Sequence, residues 1–216
     1  MVKQRRRTPD EARELILRAA AREFAALGYG GASTAQVARR AEVTQPLVHH
    51  YFGSKEGLWG AVLADLFERL GGALDRAAEA GKVSGGESTT QTLRLVRALI
   101  HFSGQHPELS RLIRGESVAG GERFEAMFAG YLAPLIRRFE TSAAGVVREG
   151  GLAAQDVQFA YFAVIGAATQ LFAEPETARR AFGLEPTDAG VIERYADFVA
   201  ELLTRGLLGP PRLPPK

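Results

Sequence analysis

The chain has 216 residues, 46% of them apolar, enough for a buried core in one large domain or in a small domain joined to a larger one. It has no cysteine, which excludes disulfides, thiolate metal sites and cysteine nucleophiles; no apolar run follows the basic start as a signal peptide requires and none reaches the ~18 residues of a membrane span, so a soluble, cytoplasmic protein without membrane contact is expected. The net charge of +2 is uneven: residues 1–55 hold ten Lys and Arg against five Asp and Glu, a net +5 that leaves −3 for the remainder, and a basic head on a mildly acidic body points to a polyanionic partner.

The pattern is helical throughout, rich in Ala, Leu, Arg and Glu and without alternating strand segments. Thr8-Pro9-Asp10-Glu11 starts a helix: Thr8 caps, Pro9 suits the first position and Glu11 completes a capping box. Leu15, Ile16, Ala19, Phe24 and Leu27 form its apolar face, and Gly28 stops it. Ser33-Thr34-Ala35-Gln36 opens a short second helix on the same principle. Glu42-Val43 reads as a tight turn, Thr44 caps a third short helix with Pro46 in its first turn, and Gly53 ends it. A fourth helix runs from Ser54 to about Ala80, followed by a loop over Gly81–Gly86. Further helices are expected over 88–104, 107–117, 121–149, 155–173 and 188–206, with a kink at Pro134 in the longest. The Pro-rich tail 209–216 is expected to be disordered.

Helix, short helix, tight turn, short helix is a helix-turn-helix plan, in which the second short helix enters the DNA major groove. With Val48 and Phe52 turned inward, Pro46 and His50 point away from the core, and Gln45, His49 and Tyr51 lie around the sides. That surface is polar and aromatic and carries no acid. Gln45 suits bidentate reading of adenine, and Pro46 suits a thymine methyl. Thr34 and the backbone at its helix start suit a phosphate, Lys55 can grip the backbone from the far side, and Arg5, Arg6 and Arg7 form an arm able to follow phosphates or enter a minor groove.

Three runs, Thr34-Ala35-Gln36-Val37-Ala38, Val43-Thr44-Gln45-Pro46-Leu47-Val48 and Phe52-Gly53-Ser54-Lys55-Glu56-Gly57-Leu58, resemble the TetR family of bacterial transcriptional regulators. The resemblance implies operator-contacting roles for Thr34, Thr44, Gln45, Pro46, His49, Tyr51 and Lys55. The sequence departs from the family twice: His49 stands where the family usually has Tyr, leaving the phosphate contact to His49 or Tyr51, and Glu42 stands where the turn usually has Gly.

Chemical readings of the same residues fare worse. Adjacent His49 and His50 diverge by ~100° on a helix, whereas chelation needs a spacing of three or four. No metal and no cofactor is expected. Gly28-Tyr29-Gly30-Gly31 follows a helix rather than a strand and lacks a following Lys, so it reads as a helix stop, not a phosphate loop. His101 and His106 flank a helix end before Pro107 and suit capping or surface roles. Paired catalytic groups are missing, so an enzyme is not expected; an all-α ligand-carrying protein or enzyme is the alternative of a different class.

In the body, the segment 155–173 is apolar nearly all round and must be covered on all sides. With the last helix it suits a homodimer interface built on Phe159, Phe162, Val191, Tyr195, Phe198 and Leu202. Two reading heads about one helical turn apart would then read a near-palindromic operator in double-stranded DNA. The resemblance further implies that the middle helices enclose a pocket for a small, largely apolar effector. Its candidate lining is Trp59, Leu63, Phe67, Phe102 and Leu112, then Met127, Phe128, Tyr131 and Tyr161. Arg97, Arg111 or Arg114 could pair an anionic end, but surface placement is the favoured reading for each. The expected architecture is all-α: an N-terminal three-helix head with its arm (1–53), a helical sensing and dimerisation body (54–208) and a tail (209–216). A repressor released by its effector is expected; a regulator of the same fold without an effector is the alternative.

Overall fold

The first helix begins on two reciprocal hydrogen bonds. In the computed structural model, which describes residues 8–83 and 87–206 with the backbone alone at 82 and 83, the Glu11 amide donates to Thr8 Oγ1 (3.2 Å) and the Thr8 amide to the Glu11 carboxylate (2.9 Å). These bonds satisfy donors that a helix start leaves without partners. Helix α1 spans Pro9–Gly31, but Gly28 sits at φ 68°, so the regular helix ends at the expected glycine and one more turn follows a kink. Helix α2 (Thr34–Arg40) starts on Ser33 Oγ, which accepts from the Gln36 amide at 3.1 Å. A tight turn leads to α3 (Gln45–Phe52). Within it Glu42 adopts φ 53°, alone among the described non-glycine residues in the left-handed region.

Ile16, Phe24, Val37 and Val48 are fully buried between these helices. Trp59 closes the core with its edge on Phe24, ring centroids 5.0 Å apart. The Glu23 carboxylate is also fully buried, and Arg40 Nε lies 2.7 Å from its Oε2. A buried carboxylate is costly without a charged partner, so this pair fixes α2 against α1.

Helix α4 (Lys55–Val83) outruns its expected end. Gly81, read from the sequence as loop, is helical and buried: Arg94 and Gln91 pack where its side chain would stand, and the missing Cβ admits them. The body continues with α5 (Ser88–Gln105), α6 (Pro107–Ala119), α7 (Glu122–Met127), a π-helical turn (Phe128–Leu132), α8 (Ala133–Arg148), α9 (Val157–Ala173), α10 (Pro175–Phe182) and α11 (Ala189–Gly206). The single helix expected over 121–149 is thus two helices joined by a π turn. Pro134 has no amide hydrogen to donate, and the wider turn just before it absorbs the mismatch. Helix α10 was not anticipated.

Helix α5 packs against α4, α8, α9 and α11. Its Val96 and Ile100 share a core with Val164, Phe172, Ile192 and Val199. A second core runs without a break from Ile16 in α1 through α4 to Leu109, Leu112 and Met127, because α1 packs on α6 as well as on α4. The head is therefore joined to the body by packing as well as by chain. Among the described residues there is no strand, as the all-α expectation requires, and no helix is long and apolar enough to cross a membrane. The expected arm at Arg5, Arg6 and Arg7, loop residues 84–86 and the expected tail 209–216 lie outside the described residues.

Candidate nucleic-acid interface and body cavity

Helix α3 buries Val48 and exposes Gln45, Pro46, His49 and His50. Thr44 precedes the helix with its side chain exposed and unused in capping. Gln45 Nε2 donates to Thr34 Oγ1 at 3.2 Å, so the two residues expected to meet DNA from different helices touch each other. His49 Nδ1 lies 3.2 Å from the Gly53 carbonyl. A carbonyl can only accept, so Nδ1 carries the proton and Nε2 is the free ring nitrogen. His50 stands edge-on to Tyr51, centroids 5.6 Å apart.

Tyr51 is half-buried, and its hydroxyl donates to the Pro9 carbonyl at 3.0 Å. Its single proton is thereby committed to the start of α1. Lys55 Nζ sits 4.7 Å over the Tyr29 ring and 3.3 Å from the Gly30 carbonyl. A lysine ammonium has three donors, so these contacts orient it without exhausting it. The glycine-rich last turn of α1 therefore works as a seat for Lys55. Arg123 reaches the same Tyr29 ring from the body at 4.4 Å, while its Nε bonds to the buried Glu116 at 3.1 Å.

The body holds a partly open cavity of about 180 Å³ between α4, α5, α6, α8 and α9. Of the nine residues expected there, Phe102 and Tyr161 line it. Trp59, Leu63, Leu112 and Met127 instead fill the continuous core below the head. Phe67 and Tyr131 spend their faces on each other, stacked at 4.5 Å, and Phe128 points partly to solvent. The walls are mostly aliphatic: Leu70 and Leu74 on α4, Leu95 and Leu99 on α5, Leu132 and Leu135 before and on α8. Leucines spaced three or four apart were the available signal, but core leucines carry the same spacing.

Arg97, Arg111 and Arg114 do not line the cavity. Arg97 pairs with Glu193 (3.2 Å) and Asp197, Arg111 donates to the Phe172 carbonyl, and Arg114 pairs with Glu174. Arg138 lines the cavity in their place. His101 Nε2 meets Glu193 at 3.1 Å, and His106 packs on Phe102 at the α5–α6 junction, where burial lowers its pKa and favours the neutral ring. Among the described residues, no group of three or more His, Asp or Glu is placed to hold a metal ion.

Helix α9 buries Ala160, Val164, Ala168 and Phe172 and leaves Phe159 and Phe162 outward, 66% and 72% exposed. Helix α11 likewise exposes Phe198 and Leu202. Tyr195, expected on the same outward face, instead turns into the subunit. It stands edge-on to Phe172, and its hydroxyl donates to the Ala167 carbonyl. Val191 is half-buried.

A helix-turn-helix head with a polar, acid-free reading surface, set on a helical body that holds an apolar cavity, defines a DNA-binding transcriptional regulator. Comparison with known proteins agrees. Residues 16–62 match the model for bacterial regulatory proteins of the tetR family, and residues 93–212 match the tetracyclin repressor-like C-terminal domain. The chain belongs to the TetR family. It is 30% identical over 170 residues to the HTH-type transcriptional regulator RutR of Escherichia coli K12, covering 79% of this chain and 77% of that one. A TetR-like transcriptional regulator from Rhodococcus sp. RHA1 has the same fold, with TM-score 0.67 and 22% identity over 94% of this chain and all of the other. So does FadR from Bacillus subtilis in complex with stearoyl-CoA, with TM-score 0.64 and 16% identity over 90% of this chain and 98% of the other.

Proposed function

We propose that the protein is a cytoplasmic, homodimeric repressor that binds a near-palindromic operator and is released by a small, largely apolar molecule held in the body. Residues 1–53 act as the reading head, with Arg5, Arg6 and Arg7 as its arm, and residues 54–208 as the sensing and dimerisation body. Gln45 and Pro46 read base edges. Thr34, Thr44, His49, His50 and Lys55 meet phosphates or base edges beside them. The contact that a family tyrosine would make falls to His49 rather than Tyr51, because Tyr51 has spent its only donor on Pro9. His49 is exposed on α3 and, with Nδ1 held by the Gly53 carbonyl, keeps Nε2 free.

The observation that carries the effector reading is the path of α4. The helix begins at Lys55, beside the reading surface, and its Leu70 and Leu74 line the cavity. A ligand shifts the spacing of two heads only by binding one arrangement better than the other, and α4 is the element whose position both sites feel. The test is a mobility-shift assay on the DNA upstream of the protein's own gene, repeated with a metabolite panel. A specific shift relieved by one ligand class supports the reading. A specific shift that nothing relieves favours a regulator without effector, and absence of any specific shift sinks the repressor assignment at that site.

A further inference from the structure

We infer that the effector cavity takes a short aliphatic or monocyclic aromatic carboxylate of about six to eight carbons, whose carboxylate takes Arg138 from Asp75. The inference rests on the effector reading above and names the ligand class and the event that couples it to α4.

Size comes first. A cavity of about 180 Å³ is close to the roughly 150 Å³ apolar cavity that accepts benzene. Six to eight carbons fill it, and a long acyl chain does not. The walls come next. Leu70, Leu74, Leu99, Leu135, Phe139 and Ile165 offer no partner to a polar group, so the buried part of the ligand is hydrocarbon.

Ser103, His106, Ser110 and Tyr161 also line the cavity, and the other polar side chains are already engaged. Thr92 and Ser142 bond to each other at 3.0 Å, and Thr169 donates to its own helix at the Ile165 carbonyl. The cation among the lining residues is Arg138, one-third exposed, whose Nη1 pairs with Asp75 at 2.6 Å. Asp75 follows Leu74 on α4 and is 65% exposed. An ion pair that open to water is weak. A ligand carboxylate anchored by its hydrocarbon end would meet the same guanidinium with its entropy already lost, and guanidinium holds carboxylates in a two-pronged geometry that a single Nη1 contact does not use. The exchange frees Asp75 and so removes a tether between α4 and α8. Ligand capture and release of α4 become one event.

The experiment is calorimetry on the full-length protein with octanoate, 1-octanol, benzoate and stearate, for the parent chain, Arg138→Gln and Asp75→Asn. Octanoate should bind better than 1-octanol, tightening about three- to four-fold per methylene from butanoate upward until the cavity is full, and stearate should fail. Arg138→Gln should weaken octanoate about ten- to a hundred-fold and leave 1-octanol unchanged. Asp75→Asn should tighten octanoate a few-fold, again without effect on the alcohol. Equal binding of acid and alcohol, or indifference of octanoate to both substitutions, would overturn the carboxylate assignment while leaving an apolar effector in place. If neither acids nor alcohols of four to ten carbons bind, the size and class assigned here both fail, and the effector reading stands or falls on the metabolite panel alone. Circular dichroism at the start of each titration keeps loss of fold from passing as loss of binding.

Discussion

Gln45 Nε2 donates to Thr34 Oγ1 at 3.2 Å, across the turn that joins α2 to α3. The bond uses one amide hydrogen and leaves the other, with Oε1, for the donor–acceptor pairing that adenine requires. It also sets which way the amide points before DNA arrives, so less freedom is lost on binding. Gln45→Ala should cost about 1–3 kcal/mol at a single base step and relax specificity there. Thr34→Val, which keeps the shape and removes the acceptor, should cost less at the same step. Binding measured against an operator panel checks both, and a uniform loss across all sequences would contradict base reading.

Lys55 differs in kind. Held between the Tyr29 ring and the Gly30 carbonyl, it presents charge rather than a base-matching pattern. Lys55→Ala should weaken binding to every duplex about equally and lower the slope of log affinity against log salt by about one. An unchanged slope would remove Lys55 from the phosphate contacts.

How far these features were legible varies with their range. The caps at Thr8 and Ser33 were readable because each is a bond over three residues, written in adjacent sequence. The reading surface followed from the same logic, since Val48 inward fixes which of its neighbours face out. The cavity was not readable: Phe67 is spaced like a pocket residue, yet its face is taken by Tyr131, which lies far along the chain within a π turn. Tyr51 shows the limit most plainly. Its position on α3 was right, but the Pro9 carbonyl that takes its hydroxyl hydrogen lies 42 residues away, and no local pattern announces it.

The turn between α2 and α3 carries a cost that can be removed. Glu42 holds φ 53°, a conformation that costs a residue with a Cβ about 1–2 kcal/mol and glycine almost nothing. Glycine also gives the unfolded chain more freedom, which takes back part of the gain. Glu42→Gly should therefore raise stability by about 0.5–1 kcal/mol in denaturant melts and leave operator affinity intact. A less stable variant would show that the glutamate side chain contributes more than its backbone strain costs.

Glu149 gives the fold a pH signature. At the end of α8 it accepts from the Ser88 amide (2.7 Å) and the Thr89 amide (3.2 Å), the first donors of α5. The hydrogen bonds from Ser88, side chain and backbone, are the main cause holding its carboxyl below the ordinary 4.5. A carboxylate with a depressed folded-state pKa stabilises fully above its unfolded value and loses that contribution as pH falls through the folded one. Glu149→Gln should thus melt lower than the parent at pH 7, and the gap should close as pH drops below 4.5. A gap of constant size down to acid would assign the loss to packing rather than charge.

The exposed aromatics of the last helices bear on assembly. Phe159 and Phe162 on α9 and Phe198 on α11 are each at least 60% exposed, while Tyr195 beside them is turned inward and satisfied. Aromatic side chains each bury 150–250 Å² when covered, so three left open are a cost that a second copy can relieve. In an isologous contact every such residue counts twice. Phe198→Asp should place two charges in that contact and yield monomers by sedimentation velocity, whereas Tyr195→Phe should stay dimeric, since its hydroxyl serves its own subunit. The monomer should keep its helical content and bind a single half-site weakly, losing preference for the paired site. An intact dimer in Phe198→Asp would move the interface away from α11.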